Sequence, residues 1–180
     1  MPTPGSADIG PSAANDFDFF IGNWRVQHRR LKQRLLACQE WEAFEGSSAA
    51  QKVLGGQGNL DDNLLCMAEG AYRAVTLRSF DAASGLWSIW WLDGRHPGRL
   101  DVPVVGGFSD ASGERIGLFY ADDTLNGQAI RVRFLWTPRS ELGQPRWEQA
   151  FSVDGGLSWE SNWVMDFSRL DAAPGLEPCL

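Results

Sequence analysis

Short segments that resemble β-strands recur through most of the chain, and Gly, Asp, Asn or Pro residues separate them. Residues 71–80 form one such segment and end at the turn-forming residues 81–85, while residues 86–93 form the next and end at Gly94. A spacing of about 10 to 15 residues between short strands is typical of antiparallel sandwiches and barrels. We therefore predict an all-β fold, an antiparallel up-and-down β-barrel of about ten strands with a short N-terminal helical turn.

The sequence Gly22-Asn23-Trp24 follows an aromatic segment, residues 16–21, and opens the first predicted strand. A glycine lets the chain turn tightly before the strand, and the indole that follows can close one end of a barrel. Near the other end of the sequence, Arg169 is placed to stack on that indole through a cation–π contact. The alternative interpretation of Trp24 is an ordinary core residue.

Composition argues against several classes of partner. The chain has 180 residues and a net charge of −7, and this acidity argues against a general affinity for nucleic acid or anionic membranes. No apolar run approaches the roughly 20 residues of a membrane helix, and residues 1–15 lack the features of a signal peptide.

Three cysteines without Cys-x-x-Cys spacing favour a reducing compartment, so we expect a cytoplasmic protein. One barrel domain is predicted over residues 16–170, between a disordered tail at 1–15 and a flexible tail at 171–180.

The last three predicted strands can be aligned by the alternation of their side chains. The expected pairs are Phe134 with Trp147, Val132 with Gln149, Ile130 with Phe151 and, on the opposite face, Arg133 with Glu148. The next hairpin is expected to put Trp159, Ser161, Trp163, Met165 and Phe167 on the apolar face, with Glu160, Asn162 and Asp166 pointing to water. Gln149 then becomes an inward polar group that needs a partner, a water or a ligand. A second helix is considered over residues 29–37, where good helix formers cluster.

Tryptophan is unusually frequent, with nine residues against two tyrosines. A core of this size needs fewer large rings, so we expect the excess to line a cavity. The predicted ligand-binding residues are His28, Trp90, Tyr120, Phe134, Trp147, Gln149 and Trp163. Within this set, the tryptophans and Phe134 would offer stacking surface, while Gln149 and His28 would orient the ligand.

The face on which Glu42 lies decides whether it is a candidate for acid–base chemistry. If Trp41 and Ala43 face inward, Glu42 belongs to a solvated face, which is the interpretation we favour. If Phe44 faces inward instead, Glu42 enters the barrel, where burial raises the pKa of a carboxyl. Arginines within strands, such as Arg78, are expected mostly to face solvent, although an inward arginine would suit a carboxylate or phosphate.

Motifs for other chemistries are weak or lacking in the sequence. His28 and His96 are far apart and form no metal-ligand motif, and no glycine-rich phosphate loop or nucleophile motif is present. Residues 152–159 match the Asp-box pattern Ser-x-Asp-x-Gly-x-x-Trp once, which we interpret as a well-made hairpin and not as a repeat of a sialidase-type propeller. We therefore predict no metal and no cofactor.

The Gly-x-Trp opening, the many short strands and the arginine near the end of the chain resemble the calycin superfamily, which includes lipocalins and fatty-acid-binding proteins. Residues 16–24, Trp90-Trp91-Leu92-Asp93 and the Asp-box strand pair ending Asn162-Trp163 most closely resemble a bacterial lipocalin-like family of unknown function. This resemblance covers residues 16 to about 170 and implies a barrel with an internal pocket, without assigned catalytic residues. Nitrobindins begin similarly but hold haem through a late histidine, and no histidine follows His96 here.

The leading functional hypothesis is a barrel that binds a small apolar or aromatic molecule. A second hypothesis is a cofactor-free lyase or isomerase that acts on a phenolic or carboxylate substrate, with Glu42, His28 or Tyr120 as the acid or base. A third is a structural or partner-binding module with a filled interior. We expect no nucleic-acid or membrane partner, and the sequence leaves the oligomeric state open, a homodimer included.

Overall fold

The computed structural model describes residues 12–111 and 113–171, and this part of the chain forms ten antiparallel strands. The strands are β1 (Gly22–Leu31), β2 (Trp41–Val53), β3 (Gly58–Met67), β4 (Gly70–Asp81), β5 (Leu86–Asp93), β6 (Val104–Ala111), β7 (Glu114–Leu125), β8 (Gln128–Thr137), β9 (Arg146–Ser152) and β10 (Glu160–Leu170). Each strand pairs with its neighbours in sequence, and β1 also pairs with β10, so that the sheet closes on itself. The predicted up-and-down barrel is confirmed.

The helical predictions have different outcomes. A 3-10 turn at Asp18–Phe20 precedes β1, as expected for the aromatic N-terminal segment. The helix considered over residues 29–37 is wrong, because β1 continues to Leu31 and a loop follows. Leu35 and Ala37 have positive φ values in that loop, which a right-handed helix does not accommodate.

An aromatic plug, consisting of Phe17, Phe20 and Trp24, closes the end of the barrel where β1 begins. All three rings are buried. The rings of Phe20 and Trp24 are stacked with centroids 5.6 Å apart, and the Trp24 indole N–H donates a hydrogen bond of 2.7 Å to the Phe20 carbonyl. Gly22 adopts φ +127°, a value that favours glycine, and so lets the chain pass from the turn into β1.

Arg169 fastens the plug from outside. Trp24 and Arg169 are paired across β1 and β10, and the guanidinium carbon lies 4.1 Å from the centroid of the indole. The same guanidinium donates hydrogen bonds to the carbonyls of Ile21 at 2.9 Å and Phe19 at 3.1 Å. The predicted Trp24–Arg169 contact is therefore confirmed, and Arg169 also binds the two carbonyls that precede the strand.

The predicted register of β8 and β9 is wrong, whereas Trp163, Met165 and Phe167 of β10 face inward as predicted. Phe134 pairs with Gln149, and Trp147 pairs with Trp136, so that the true alignment of β8 and β9 differs by two residues. The other observed pairs are Val132 with Phe151, Arg133 with Ala150 and Leu135 with Glu148. The β8–β9 connection spans residues 138–145, and alternation alone cannot distinguish registers that differ by two residues, because both keep the same faces.

A β-bulge lies in β10 between Ser161 and Trp163. The extra residue, Asn162, is fully buried and accepts a hydrogen bond of 2.8 Å from Gln149, although it was predicted to face water. A bulge reverses the alternation of faces on its two sides. Trp159 therefore packs near Tyr120, a residue of the outer face, while Trp163 faces inward.

The Asp-box segment is a structural hairpin between β9 and β10. Asp154 accepts hydrogen bonds from the backbone N–H of Ser158 at 2.9 Å and from its hydroxyl at 2.6 Å. The Ser158 hydroxyl is also the largest cause of the lowered pKa of the Asp154 carboxyl. The Trp159 indole donates to the Gly156 carbonyl at 3.0 Å. The hydrogen bonds of the motif residues therefore stabilise the turn itself, in agreement with the interpretation of the motif as a hairpin.

The predicted tails lie mostly outside the described residues. Of the N-terminal segment, residues 12–15 are described, and Ser12 and Ala13 both donate hydrogen bonds to the Asp16 carboxylate. The predicted C-terminal tail contributes only Asp171 to the described part of the chain. Among the residues described, no helix has the length and apolar character needed to cross a membrane.

We predict that Arg169→Leu destabilises the barrel by about 1–3 kcal/mol, because it removes a cation–π contact and two charge-assisted hydrogen bonds. The measurement is urea unfolding followed by tryptophan fluorescence. Arg25→Leu is the matched control, because Arg25 is an exposed residue on the outer face of β1 and its replacement should cost less than about 0.5 kcal/mol. Equal losses in the two variants would contradict the role given to Arg169.

Candidate functional site

A cavity of about 250 Å³ lies inside the barrel above the plug. Phe20, Trp136 and Phe167 form its floor, and the hairpins at the opposite end surround its mouth. The inward residues of the strands line its wall, because successive side chains on a strand point to opposite faces. The filled interior of the third hypothesis is therefore not observed.

Aromatic rings form one side of the cavity, on β5 and on strands β8 to β10. Phe134 and Trp147 meet edge to face with centroids 4.8 Å apart, and Trp147 meets Trp163 in the same way at 5.7 Å. Trp91 approaches Trp163 at 6.0 Å with an interplanar angle of 77°. Edge-to-face contacts of this kind hold the rings in fixed orientations and present an ordered apolar wall to the cavity.

A buried ion pair occupies the other side of the cavity near the floor. Arg78 of β4 and Asp61 of β3 are each about 97 % buried, and the Arg78 Nη1 donates to both Asp61 and Asn59. The second carboxylate oxygen of Asp61 accepts a hydrogen bond of 2.7 Å from Asn63. Because the opposite charges and the amides satisfy each other, both ions can remain away from water.

The Arg78 guanidinium also contacts the plug. Its carbon lies 5.1 Å from the ring centroid of Phe17, 5.0 Å from that of Phe20 and 5.3 Å from that of Trp136. Its Nε has no hydrogen-bond partner within the described residues, and the electron-rich ring faces compensate part of that loss. Arg78 therefore joins the plug to the polar wall of the cavity.

Three arginines lie at the mouth of the cavity around a buried tyrosine. Arg30 stands at the end of β1, Arg34 in the β1–β2 loop and Arg95 in the β5–β6 loop, and all three line the cavity. Arg95 stacks on Tyr72 with its guanidinium carbon 3.7 Å from the ring centroid. Burial raises the pKa of the Tyr72 hydroxyl, against the opposing effect of all three arginines. The phenol is therefore protonated at neutral pH and can donate a hydrogen bond.

The carboxylates of the mouth lie on β5, on β7 and in the loop between β5 and β6. Asp93 is bound by Arg95 through two nitrogens, at 3.0 and 2.6 Å. Asp101 and Asp123 also line the cavity. Burial raises the pKa of the Asp101 carboxyl, which Asp123 and Asp93 raise further.

His28 is buried beside the aromatic wall but does not line the cavity. Its ring stacks on Phe44 at 4.6 Å, and its Nδ1 accepts a hydrogen bond of 3.3 Å from the Trp163 indole. Burial, assisted by the charge of Arg30, lowers the pKa of His28 to about 3. The imidazole is therefore neutral at physiological pH, and it positions Trp163.

The seven predicted site residues fall into two groups. Phe134, Trp147, Gln149 and Trp163 line the cavity together. Outside the lining residues are His28, Trp90 and Tyr120. Trp91 takes the inward position on β5, so that Trp90 faces outward. Tyr120 lies on the outer face of β7, where the Arg131 guanidinium carbon is 5.0 Å from its ring centroid. Their roles in ligand binding stay predictions.

The favoured interpretation of Glu42 is wrong. Phe44 is buried while Trp41 and Ala43 are exposed, so Glu42 shares the inner face of β2. Its carboxylate pairs with Arg30 at 3.4 Å and is not part of the cavity lining. None of the three acid–base candidates therefore lines the cavity, and the lyase or isomerase hypothesis has no specific observation in its favour.

Several lining residues were missed by sequence reasoning. The inward face of β3 carries Asn59, Asp61 and Asn63, an alternation of polar residues that obscured the strand. Arg78 was missed because the outward face of β4 also carries apolar residues such as Leu77. The polarity of the residues therefore does not show which face of β4 points inward. A polar alternation opposite an in-strand arginine is the signal that could have found the pair.

Within the described residues, no group of three or more His, Cys, Asp or Glu side chains is arranged to hold a metal ion. A scan against models of known protein families finds no match, and a search of curated proteins finds no significant relative.

We predict that Arg78→Met destabilises the barrel by about 3–5 kcal/mol, because it leaves the Asp61 carboxylate buried without a counter-charge. The double variant Arg78→Met/Asp61→Leu should recover a large part of that loss. Urea unfolding of the two variants measures the difference. A double variant that is no more stable than Arg78→Met would contradict the proposed pairing.

We predict a pH dependence of stability that His28 controls. The unfolded chain takes up a proton near the ordinary imidazole pKa of 6.5, whereas the folded state does so only near a pKa of about 3. The contribution of His28 to the free energy of unfolding is therefore fully present above pH 6.5. It decreases by about 1.4 kcal/mol for each unit by which the pH is lowered from 6.5 to 3. Urea unfolding at pH 7.5 and 5.0 should show about 2 kcal/mol more loss in the wild type than in His28→Gln. Equal pH dependence would show that His28 titrates normally.

Proposed function

We propose that this protein binds a small, largely aromatic molecule inside its barrel, and that it is a calycin-like, lipocalin-like binding protein. The observation that carries the proposal is a cavity of about 250 Å³ with an aromatic wall on one side and a polar wall on the other. Ligand pockets usually measure about 300–1,000 Å³ and combine apolar surface with a few polar groups. The size of this cavity suits a ligand of one or two fused rings.

The aromatic wall supports a flat ligand. Trp163 is held from behind by His28 and meets Trp147 edge to face. Such fixed rings lose little side-chain entropy when a second ring stacks on them, which makes them good binding surfaces. A ligand ring that lies against Phe134 and Trp163 would supply packing contacts on the sides of these rings that face the cavity.

Gln149 supports a ligand with a hydrogen-bond donor. The side-chain amide of Gln149 donates to Asn162 at 2.8 Å, and the same side chain lines the cavity. Its carbonyl oxygen remains able to accept a hydrogen bond. Because the bulge fixes Asn162 and Asn162 fixes the amide, Gln149 would orient a ligand as well as bind it.

The neutral fluorescent probe 1-naphthylamine, which has two fused rings and an N–H donor, tests the proposal. We expect saturable enhancement of probe fluorescence, quenching of tryptophan fluorescence and a raised melting temperature, because a ligand that binds only the folded state stabilises it. Ala121→Phe should weaken binding at least tenfold, since Ala121 lines the cavity and the larger ring fills it.

Ala129→Phe is the matched control for this experiment. Ala129 is an exposed residue of β8, so the same substitution there adds a ring outside the barrel. The control should bind the probe as the wild type does. Equal affinity of the wild type and the Ala121→Phe variant, or no binding by the wild type, would overturn the proposal.

A further inference from the structure

The mouth of the cavity contains a cation, Arg34, for which the described residues supply no ion-pair partner. Arg34 is partly buried, lines the cavity and has no carboxylate within 4 Å among the described residues. Its guanidinium carbon lies 5.7 Å from the ring centroid of Phe151. Burial, together with the nearby charge of Arg30, lowers the pKa of Arg34, and the smaller opposing effects of Tyr72 and Glu160 do not cancel this shift. A desolvated cation beside a second cation is an unfavourable arrangement that a bound anion would relieve.

The loop that carries Arg34 is held in place. The backbone N–H of Leu35 donates a hydrogen bond of 2.8 Å to Glu160 at the start of β10. Leu35 itself has a φ of 60°. The fixed backbone therefore directs the adjacent Arg34 side chain to the mouth.

The cations extend into a second pocket of about 420 Å³ that adjoins the cavity and shares Arg30 and Arg34 with it. Lys32 also lines this pocket, and none of the described residues in the lining is a carboxylate. The two partners that do exist are outside that lining: Arg30 pairs with Glu42 at 3.4 Å and Lys32 with Glu40 at 2.9 Å. In a chain with a net charge of −7, this is a local concentration of positive charge.

The acidic residues of the mouth do not cancel these cations. Asp93 is already bound by Arg95. The charged neighbours of Asp101 are Arg99, Asp123 and Asp93, and neither Arg30 nor Arg34 is among them. Among the described residues, none of Asp93, Asp101 and Asp123 forms an ion pair with Arg30 or Arg34.

The aromatic wall continues directly into the cationic group. The Arg30 guanidinium carbon lies 5.5 Å from the ring centroid of Trp163 and 5.6 Å from that of Phe44. Tyr72 lines the same part of the cavity and offers a hydroxyl. A ring that stacks on Trp163 would therefore carry its substituent to Arg30, Arg34 and Tyr72.

We infer that the ligand is an aromatic oxyanion, whose ring lies in the cavity and whose anionic group is bound at the mouth by Arg30, Arg34 and the Tyr72 hydroxyl. This inference rests on the proposed function, because it requires a ring in the cavity. It adds the charge of the ligand and its direction, with the anionic end outward.

Isothermal titration calorimetry with 2-naphthoate and its neutral isostere 2-naphthamide tests the inference. We expect the wild type to bind 2-naphthoate at least about tenfold more tightly at low salt, since charge-assisted hydrogen bonds are the strong ones. The preference should shrink as sodium chloride is raised from about 20 to 500 mM, because salt screens exposed charges. A third arm, 2-naphthalenesulfonate, tests whether the site accepts oxyanions other than carboxylates, and we expect the same preference over the amide.

Arg34→Gln should abolish most of the preference for naphthoate over naphthamide. Arg25→Gln, which removes the same charge from the outer face of β1, should leave the preference intact. Naphthamide that binds as tightly as naphthoate, or a preference that survives in Arg34→Gln, would overturn the inference while leaving the proposed function standing. A wild type that binds neither naphthoate nor naphthamide would overturn both.

Discussion

The contact between the aromatic plug and the Arg78–Asp61 ion pair is the interaction on which the rest of the barrel depends. Phe17 and Phe20 lie within about 5 Å of the Arg78 guanidinium, and that cation stays buried only because Asp61 neutralises it. The plug closes one end of the barrel, where its rings contact the Arg78 guanidinium, and it does not extend through the interior. A cavity therefore remains above it, open to ligands at the opposite end.

This arrangement divides the interior into three zones of different chemistry. The floor has a neutralised ion pair, the wall has orthogonal aromatic rings, and the mouth has cations that the protein itself satisfies only in part. Arg34 differs from Arg78 in this respect, because it forms no ion pair within 4 Å among the described residues, whereas Arg78 pairs with Asp61. A flat ring with an anionic group would match the wall and the mouth together, which is why the function and the further inference concern one molecule.

The barrel and its plug could be predicted from sequence because their signals are local. Turn residues between short strands indicate the fold, and Gly22 before Trp24 indicates the plug. The register of β8 and β9 could not be predicted, since two registers that differ by two residues put the same side chains on the same faces. The bulge at Asn162 was missed because the apolar residues on both sides of it look like one regular alternation. The inward position of Arg78 was missed because strands of this barrel carry apolar residues on both faces. The alternation of polar and apolar residues then does not identify the inner face.

A crystal structure of the protein soaked with naphthalene tests the central claim most directly, because this ligand has no polar group and reports only on the cavity above the plug. The account predicts electron density for one ring system between Phe134 and Trp163, with the plug and the Arg78–Asp61 pair unmoved. Side chains that fill this space, or naphthalene bound only outside the barrel, would contradict it.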